Sequence, residues 1–256
     1  AIELELQEKF PNLPLHVWLG DVRDNLRLKE IFARARPELV FHAAALKHVP
    51  MAEENVRETV LTNVLGSKLV ADNAKVGGAL ATVLITSVMG ATKRVAELYF
   101  QNQDIAFTKD QSHCLSVRFG NVLGSTGSVV PRFRAQLAKG GPLTVTHPDM
   151  TRYFMTVREA VELVLQASAF ATKPQEQRGS ILVLDMGTPV KIVDLARQMI
   201  RLAGLRPDID VKISYTGLRP GEKMHEELIA TGENISRAAV DGVNILAAPL
   251  LNPVQF

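Results

Sequence analysis

Met89 and Lys93 stand four apart in the run SVMGATKRVAELY, a spacing that puts both on one face of a helix. Only the lysine of the pair can hold an anion or exchange a proton; a thioether does neither at a useful pKa, so Met89 cannot be a general base. Read alone, MGATK is more often an ordinary helix start. Further along, LRPGEK at 218–223 sets Arg219 and Glu222 either side of a Pro-Gly turn. That arrangement suits a guanidinium fork on pyrophosphate with a carboxylate on ribose hydroxyls, or a surface turn closed by a salt bridge. Arg152 and Thr146 admit the same two readings. The segment RFGNVLGSTGSVVPRF begins where a strand should end, so Asn121 and neighbouring backbone groups can hold a sugar hydroxyl or a phosphate.

The run LVFHAA leads into AALKHVP, and small residues at the C-terminal edge of a strand let a ligand approach the backbone where doubly wound sheets bind one. Ala43, Ala44 and Ala45 are candidates for that edge, or else pack a helix closely. Lys47 and His48 follow it, where a cation meets phosphate or a ribose hydroxyl. In GDVRD, Asp21 is placed to meet a ligand at the sheet edge, while Asp24 reads as a helix N-cap whose carboxylate accepts a bond from a free first-turn N–H.

These residues need a scaffold. Apolar runs at 15–19, 39–44, 81–85 and 114–119 read as strands, none strictly alternating, as a parallel sheet covered on both faces requires. Helical patterns at about 25–36, 55–76 and 89–103 lie between them, stopped by Pro37 in the first case and by Gly77 and Gly78 in the second. After Asn121 come a Gly/Ser loop, a short helix set off by Pro131 and the glycines at 140–141, and a hairpin around THPD. Thr156 and Glu159 form a capping box opening a helix with apolar Val161, Val164 and Leu165. ILVLD at 181–185 then rejoins the main sheet, followed by a helix at about 190–203. The pattern predicts a doubly wound α/β fold with a smaller, discontinuous lobe. Residues 1–125, rejoined by about 157–187, form the sheet domain, and 126–156 with 188–256 form the lobe.

Composition removes several classes of function. A formal net charge of +2 over 256 residues is too small for a general nucleic-acid or membrane-surface binder. Cys114 is the single cysteine, which excludes an intramolecular disulfide or a cysteine-based zinc site, and no metal site is expected; in its apolar run the thiol reads as buried and inert. No apolar run approaches the roughly 20 residues of a membrane helix, so the chain reads as soluble. It opens inside a helical pattern, AIELELQEKF, with no strand before it, from which the natural N-terminus is expected to lie elsewhere.

Taken in order, GDVRD, FHAAALKHVP, MGATK, RFGNVLGSTGSVVPRF, MTRYFM, VLDMG and LRPGEK resemble the CapD-like nucleotide-sugar dehydratases, the UDP-N-acetylglucosamine 4,6-dehydratases of bacterial polysaccharide synthesis, within the extended short-chain dehydrogenases/reductases. The resemblance runs from about residue 20 to 230 and implies a Rossmann NAD(P)-binding domain beside a nucleotide-sugar lobe. It further implies a hydro-lyase with a tightly bound, recycled NAD or NADP: hydride leaves carbon 4 of the sugar, water is lost across carbons 5 and 6, and hydride returns to carbon 6. By this similarity Lys93 holds the nicotinamide ribose, and Asp21, Val22, Ala43, Ala44, Ala45, Lys47 and Asn63 line the dinucleotide. Asn121, Val129, Thr146, Arg152, Arg219 and Glu222 hold the UDP-sugar. Met89 occupies the family's tyrosine position, as in the C5-retaining branch. The resemblance also implies a homo-oligomer, cytoplasmic or at the inner face of the bacterial membrane with a membrane-anchored parent.

Two departures accompany the resemblance. The family's opening strand and Gly-rich pyrophosphate turn have no counterpart in this sequence, so the first βα unit is missing from the expected domain. In the family the strand matching ATVLI continues into a Ser-Thr-Asp-Lys segment carrying the acid and base of elimination, whereas Ile85 here passes straight to Thr86 and Ser87. The expectation is a chain that is nearly inactive as written. Two rivals follow: a nucleotide-sugar 4-epimerase, which keeps the tyrosine, and a catalytically inactive UDP-sugar-binding scaffold.

Overall fold

The computed structural model describes residues 2–87, 90–106, 112–125, 127–172, 178–219, 221–230 and 232–247. Met89 lies outside the described residues. In chain order the elements are α1 (Ile2–Lys9), α2 (Asn25–Ala35), β1 (Leu39–His42), α3 (Val49–Glu54), α4 (Val56–Val60), α5 (Ser67–Val76), β2 (Ala81–Thr86), α6 (Ala91–Ala106), β3 (His113–Arg118), β4 (Asn121–Val122) and α7 (Val129–Ala138). They continue with β5 (Leu143–Val145), β6 (Thr151–Arg152), β7 (Phe154–Met155), α8 (Val157–Ala171), β8 (Ile181–Leu184), β9 (Val190–Lys191), α9 (Ile192–Leu202), β10 (Ile213–Tyr215), β11 (Asn234–Arg237) and β12 (Val243–Ala247).

The main sheet runs β1-β2-β3-β8-β12-β11. Its first four strands are parallel, β12 pairs antiparallel with β8, and β11 pairs antiparallel with β12. Period-two alternation decides what each strand covers. On β2, Ala81 and Val83 pack with Ile85 into the core under α8, while Leu84 joins Ala71, Ala96 and Phe100 of α5 and α6. The α/β fold expected from alternating apolar runs is therefore the fold observed. All three strand ends β1, β2 and β3 open on the same edge, as a parallel sheet requires, and the site lies there.

Local signals behave as their chemistry dictates. Asp24 accepts a bond from the Arg27 N–H at 3.0 Å and caps α2. The Thr156–Glu159 box is complete, with Glu159 N–H donating to Thr156 Oγ1 at 3.2 Å and Thr156 N–H donating to Glu159 Oε2 at 2.7 Å.

Other expectations are corrected. Residues 15–19 form no strand: the sheet stops at β1, whose Leu39 and Phe41 are exposed, and a strand with no neighbour to take its N–H and C=O groups has no ladder to join. The single helix expected over 55–76 is three pieces, α4, a π-helical turn at Leu61–Gly66 and α5. No hairpin forms around THPD, because the strands on either side find different partners, β5 pairing with β10 and β6 with β9. The short helix α7 begins two residues before Pro131, which sits in its first turn, where its missing N–H is not needed. Residues 234–247, grouped with the small lobe from sequence, supply β11 and β12 of the main sheet.

Cys114 is buried on β3, and burial, reinforced by the charges of Asp104 and Asp72, pushes its thiol up to about 12. A thiol reagent at mildly alkaline pH should leave the native protein unmodified and label one site after denaturation. Rapid labelling of the native protein would contradict this burial.

Candidate active-site cleft

The strand ends open into a cleft of about 490 Å³ whose walls include Ala43, Ala45, Lys47, Asn63, Thr86, Lys93, Asn121 and Glu226. Six residues singled out from sequence thus meet in one place. They arrive from the loop after β1, the π-helical turn, α6 and β4.

Lys93 rises from the first turn of α6. Burial lowers the pKa of its amine, the neighbouring Lys47 charge adds to that, and Glu97 one turn along opposes it. Thr86 ends β2 with its Oγ1 buried and, among the described residues, without a partner. Beneath them, His42 is buried and Ser67 Oγ lies 2.9 Å from its Nε2. The Ser67 hydroxyl donates its only proton to Asn63 O at 2.7 Å, so Nε2 must be the donor of the pair. Burial first, and then the Lys93 charge, push the His42 pKa down to about 4, leaving a neutral ring at physiological pH.

Asn63 reaches the cleft but spends its amide on the scaffold. Its Oδ1 accepts from Leu46 N–H at 2.8 Å, and its Nδ2 donates to Leu46 O at 3.0 Å and to Thr92 Oγ1 at 3.2 Å. One side chain therefore pins the AALKH loop to the helix that carries Lys93. The π-helical turn that presents it is an uncommon element found most often at functional sites. Further out, a Cβ on Gly127 would lie 2.5 Å from the His48 ring, and one on Gly221 would lie 3.0 Å from Val49 Cγ1. The Gly/Ser loop and the LRPGEK turn thus both close against the segment that starts α3.

Asn121 and Glu226 make another polar stretch of the lining, with Tyr153 bonded to both. Asn121 Nδ2 donates to Glu226 Oε2 at 2.8 Å and to Tyr153 O at 3.2 Å, while Tyr153 N–H donates to the same carboxylate oxygen at 3.1 Å. Burial raises the Glu226 pKa above the ordinary carboxyl value despite those donors and the nearby Arg152.

Several expected ligand residues have other occupations. The Asp21 carboxylate is taken by Arg23, whose hydrogen bonds hold it down to about 2, and it stands outside the cleft lining. Val22 packs against the Leu28–Phe32 cluster, and Ala44 is exposed. Arg152 donates to the carbonyls of Thr151, Met224 and Lys223 at 2.7, 3.1 and 2.8 Å, clamping the chain that leads to Glu226. Val129 packs on the core of the small lobe, and Thr146 O accepts from Gly217 N–H at 3.0 Å. Arg219 and Glu222 stay in their exposed or half-buried turn, joined by Glu222 N–H to Arg219 O at 3.1 Å. Glu226 was missed from sequence, since an acidic residue in MHEELI carries no spacing that marks it.

A family model described as polysaccharide biosynthesis protein matches residues 1–248. The chain is 49% identical over 244 residues to the capsular polysaccharide biosynthesis protein CapD of Staphylococcus aureus, which covers 91% of this chain and 39% of that relative. It is 33% identical over 242 residues to a UDP-N-acetylglucosamine 4,6-dehydratase (inverting) of Campylobacter jejuni, covering 91% of this chain and 67% of the relative. Among solved structures, Pen from Bacillus thuringiensis superposes with a TM-score of 0.83 at 32% identity, covering 97% of this chain and 78% of the other. Among the described residues no helix is long and apolar enough to cross a membrane.

Proposed function

The chain belongs to the polysaccharide biosynthesis protein family, and from that premise we propose that it is the nucleotide-sugar-modifying part of an NAD(P)-dependent 4,6-dehydratase acting on UDP-N-acetylglucosamine. The observation that carries this reading is the cleft itself, which brings together an amine, Lys93, with lowered pKa, small residues at the strand ends and a polar group built on Asn121 and Glu226. Because the chain spans 39% of the length of its S. aureus relative, the activity of the longer protein is part of the proposal.

The residues present fit one half of a dinucleotide. Ala43 and Ala45 leave room for a flat ring beside the backbone, while Lys93 offers donors to ribose oxygens. When bound, the dinucleotide supplies the hydride acceptor and donor. Lys93 holds the ribose and keeps positive charge beside the reacting carbon, Lys47 widens that positive field, and Asn121 orients the sugar. With Met89 in the tyrosine position and only residues 87–90 joining β2 to α6, the acid and base of elimination are not among the cleft residues described. Binding of both ligands with slow formation of product is therefore expected.

Incubation with UDP-N-acetylglucosamine and catalytic NAD separates the readings. A UDP-4-keto-6-deoxy sugar without net NADH supports dehydration, a C4 epimer supports the epimerase, and tight binding with no product supports a scaffold.

A further inference from the structure

We infer that Glu226 is a positioning residue, turning the Asn121 amide so that Oδ1 rather than Nδ2 faces the cleft and accepts a hydrogen bond from a donor on the sugar. The inference rests on the nucleotide-sugar reading above. Tyr153 O and Glu226 Oε2 are both acceptors, and only the nitrogen end of the Asn121 amide carries hydrogens for them, at 3.2 and 2.8 Å. A flipped amide would set its oxygen against a carbonyl and a carboxylate. Tyr153 N–H fills the remaining approach to the same oxygen at 3.1 Å, so Oε2 is fully engaged while Glu226 still lines the cleft.

The carboxylate is placed from both sides. Arg152 holds the carbonyls of Lys223 and Met224 at 2.8 and 3.1 Å, and Arg118 Nη1 reaches Leu228 O at 3.4 Å. Gly120 is what lets it come so near, since a Cβ there would stand 3.2 Å from Glu226 Oε2 and 3.0 Å from the Tyr153 Cβ. The resulting wall offers acceptors, Asn121 Oδ1 and Glu226 Oε1. It reads hydroxyl or amide N–H groups and turns phosphate oxygens away, toward the Lys47 side of the cleft.

The test is calorimetric titration of the protein with UDP-N-acetylglucosamine and, separately, with UDP. E226A should weaken the UDP-sugar about tenfold and UDP less than about twofold, and E226Q, which keeps one acceptor oxygen, should recover most of the lost affinity. Equal losses for both ligands, or no loss in E226A, would overturn the inference. If E226A does not fold, the native protein decides the matter by ¹⁵N spectra, with the Asn121 side-chain amide assigned from its absence in N121S. Its two protons should shift together with the Glu226 carboxyl on acidification; an amide insensitive to that titration contradicts the pairing. Native protein that binds no UDP-sugar refutes the functional reading instead, and the spectra still report the amide's orientation.

Discussion

Replacing Arg118 by methionine lowers stability by about 3–5 kcal/mol, the usual cost of leaving buried charges without their partner. Urea unfolding should show it as an earlier midpoint with an unchanged slope. The side chain is 1% exposed and bonds two carboxylates at once. Nε and Nη2 donate to Glu97 at 2.7 Å each, and Nη1 and Nη2 donate to Glu233 at 2.7 and 2.9 Å. Glu97 belongs to the helix of Lys93, and Glu233 to the segment that follows Glu226, so one guanidinium joins both walls of the cleft. Burial alone would raise the Glu233 pKa, but its bonds to Arg118 and Ala230 N–H outweigh that and hold it below the ordinary value. A carboxyl depressed in the folded state contributes stability above its unfolded pKa, which is lost as pH falls through the folded value. The native protein should therefore lose stability on acidification, and E233Q should remove part of that acid dependence. A mild effect of R118M, under about 1 kcal/mol, would mean that water reaches the network and screens it.

Replacing Lys93 by methionine should lower turnover by about 100-fold or more, the scale of a lost polar group acting directly at the reacting atoms. Dinucleotide binding should weaken with it, because the amine is the cleft cation from α6, and its lowered pKa reflects burial beside Lys47. Methionine keeps the aliphatic stem, so urea unfolding should change little and separate this loss from a folding defect. Unchanged nucleotide affinity in K93M would remove the lysine from the site.

The parts of this molecule legible in its sequence are those governed by local chemistry. Asp24 and the Thr156–Glu159 box cap their helices because a free first-turn N–H needs an oxygen within a few residues. The central parallel strands β2, β3 and β8 are buried on both faces, as their apolar runs require, while the edge strand β1 leaves Leu39 and Phe41 exposed. Failures arise where the partner is distant in sequence. Residues 15–19 have a strand's composition, but pairing decides strands, and in the described sheet they pair with none. The resemblance gives Asn63 and Arg152 ligand roles; the structure adds that Asn63 bonds Leu46 and Thr92 and that Arg152 bonds carbonyls at 151, 223 and 224, contacts that no spacing announces. Lys93, Lys47, Ala43, Ala45, Asn63 and Asn121 share one cleft because strand ends and helix starts converge by topology. Glu226 depends on a strand bridge between Thr151 and His225, and becomes visible only once the chain is folded.

Product analysis by ¹³C NMR tests the central claim most directly, using labelled UDP-N-acetylglucosamine, catalytic NAD and protein verified by intact mass. Slow appearance of a 4-keto carbon together with a 6-methyl carbon, without net NADH and abolished in K93M, is the predicted result. Unchanged substrate with no measurable binding of UDP-sugar or dinucleotide would contradict the account.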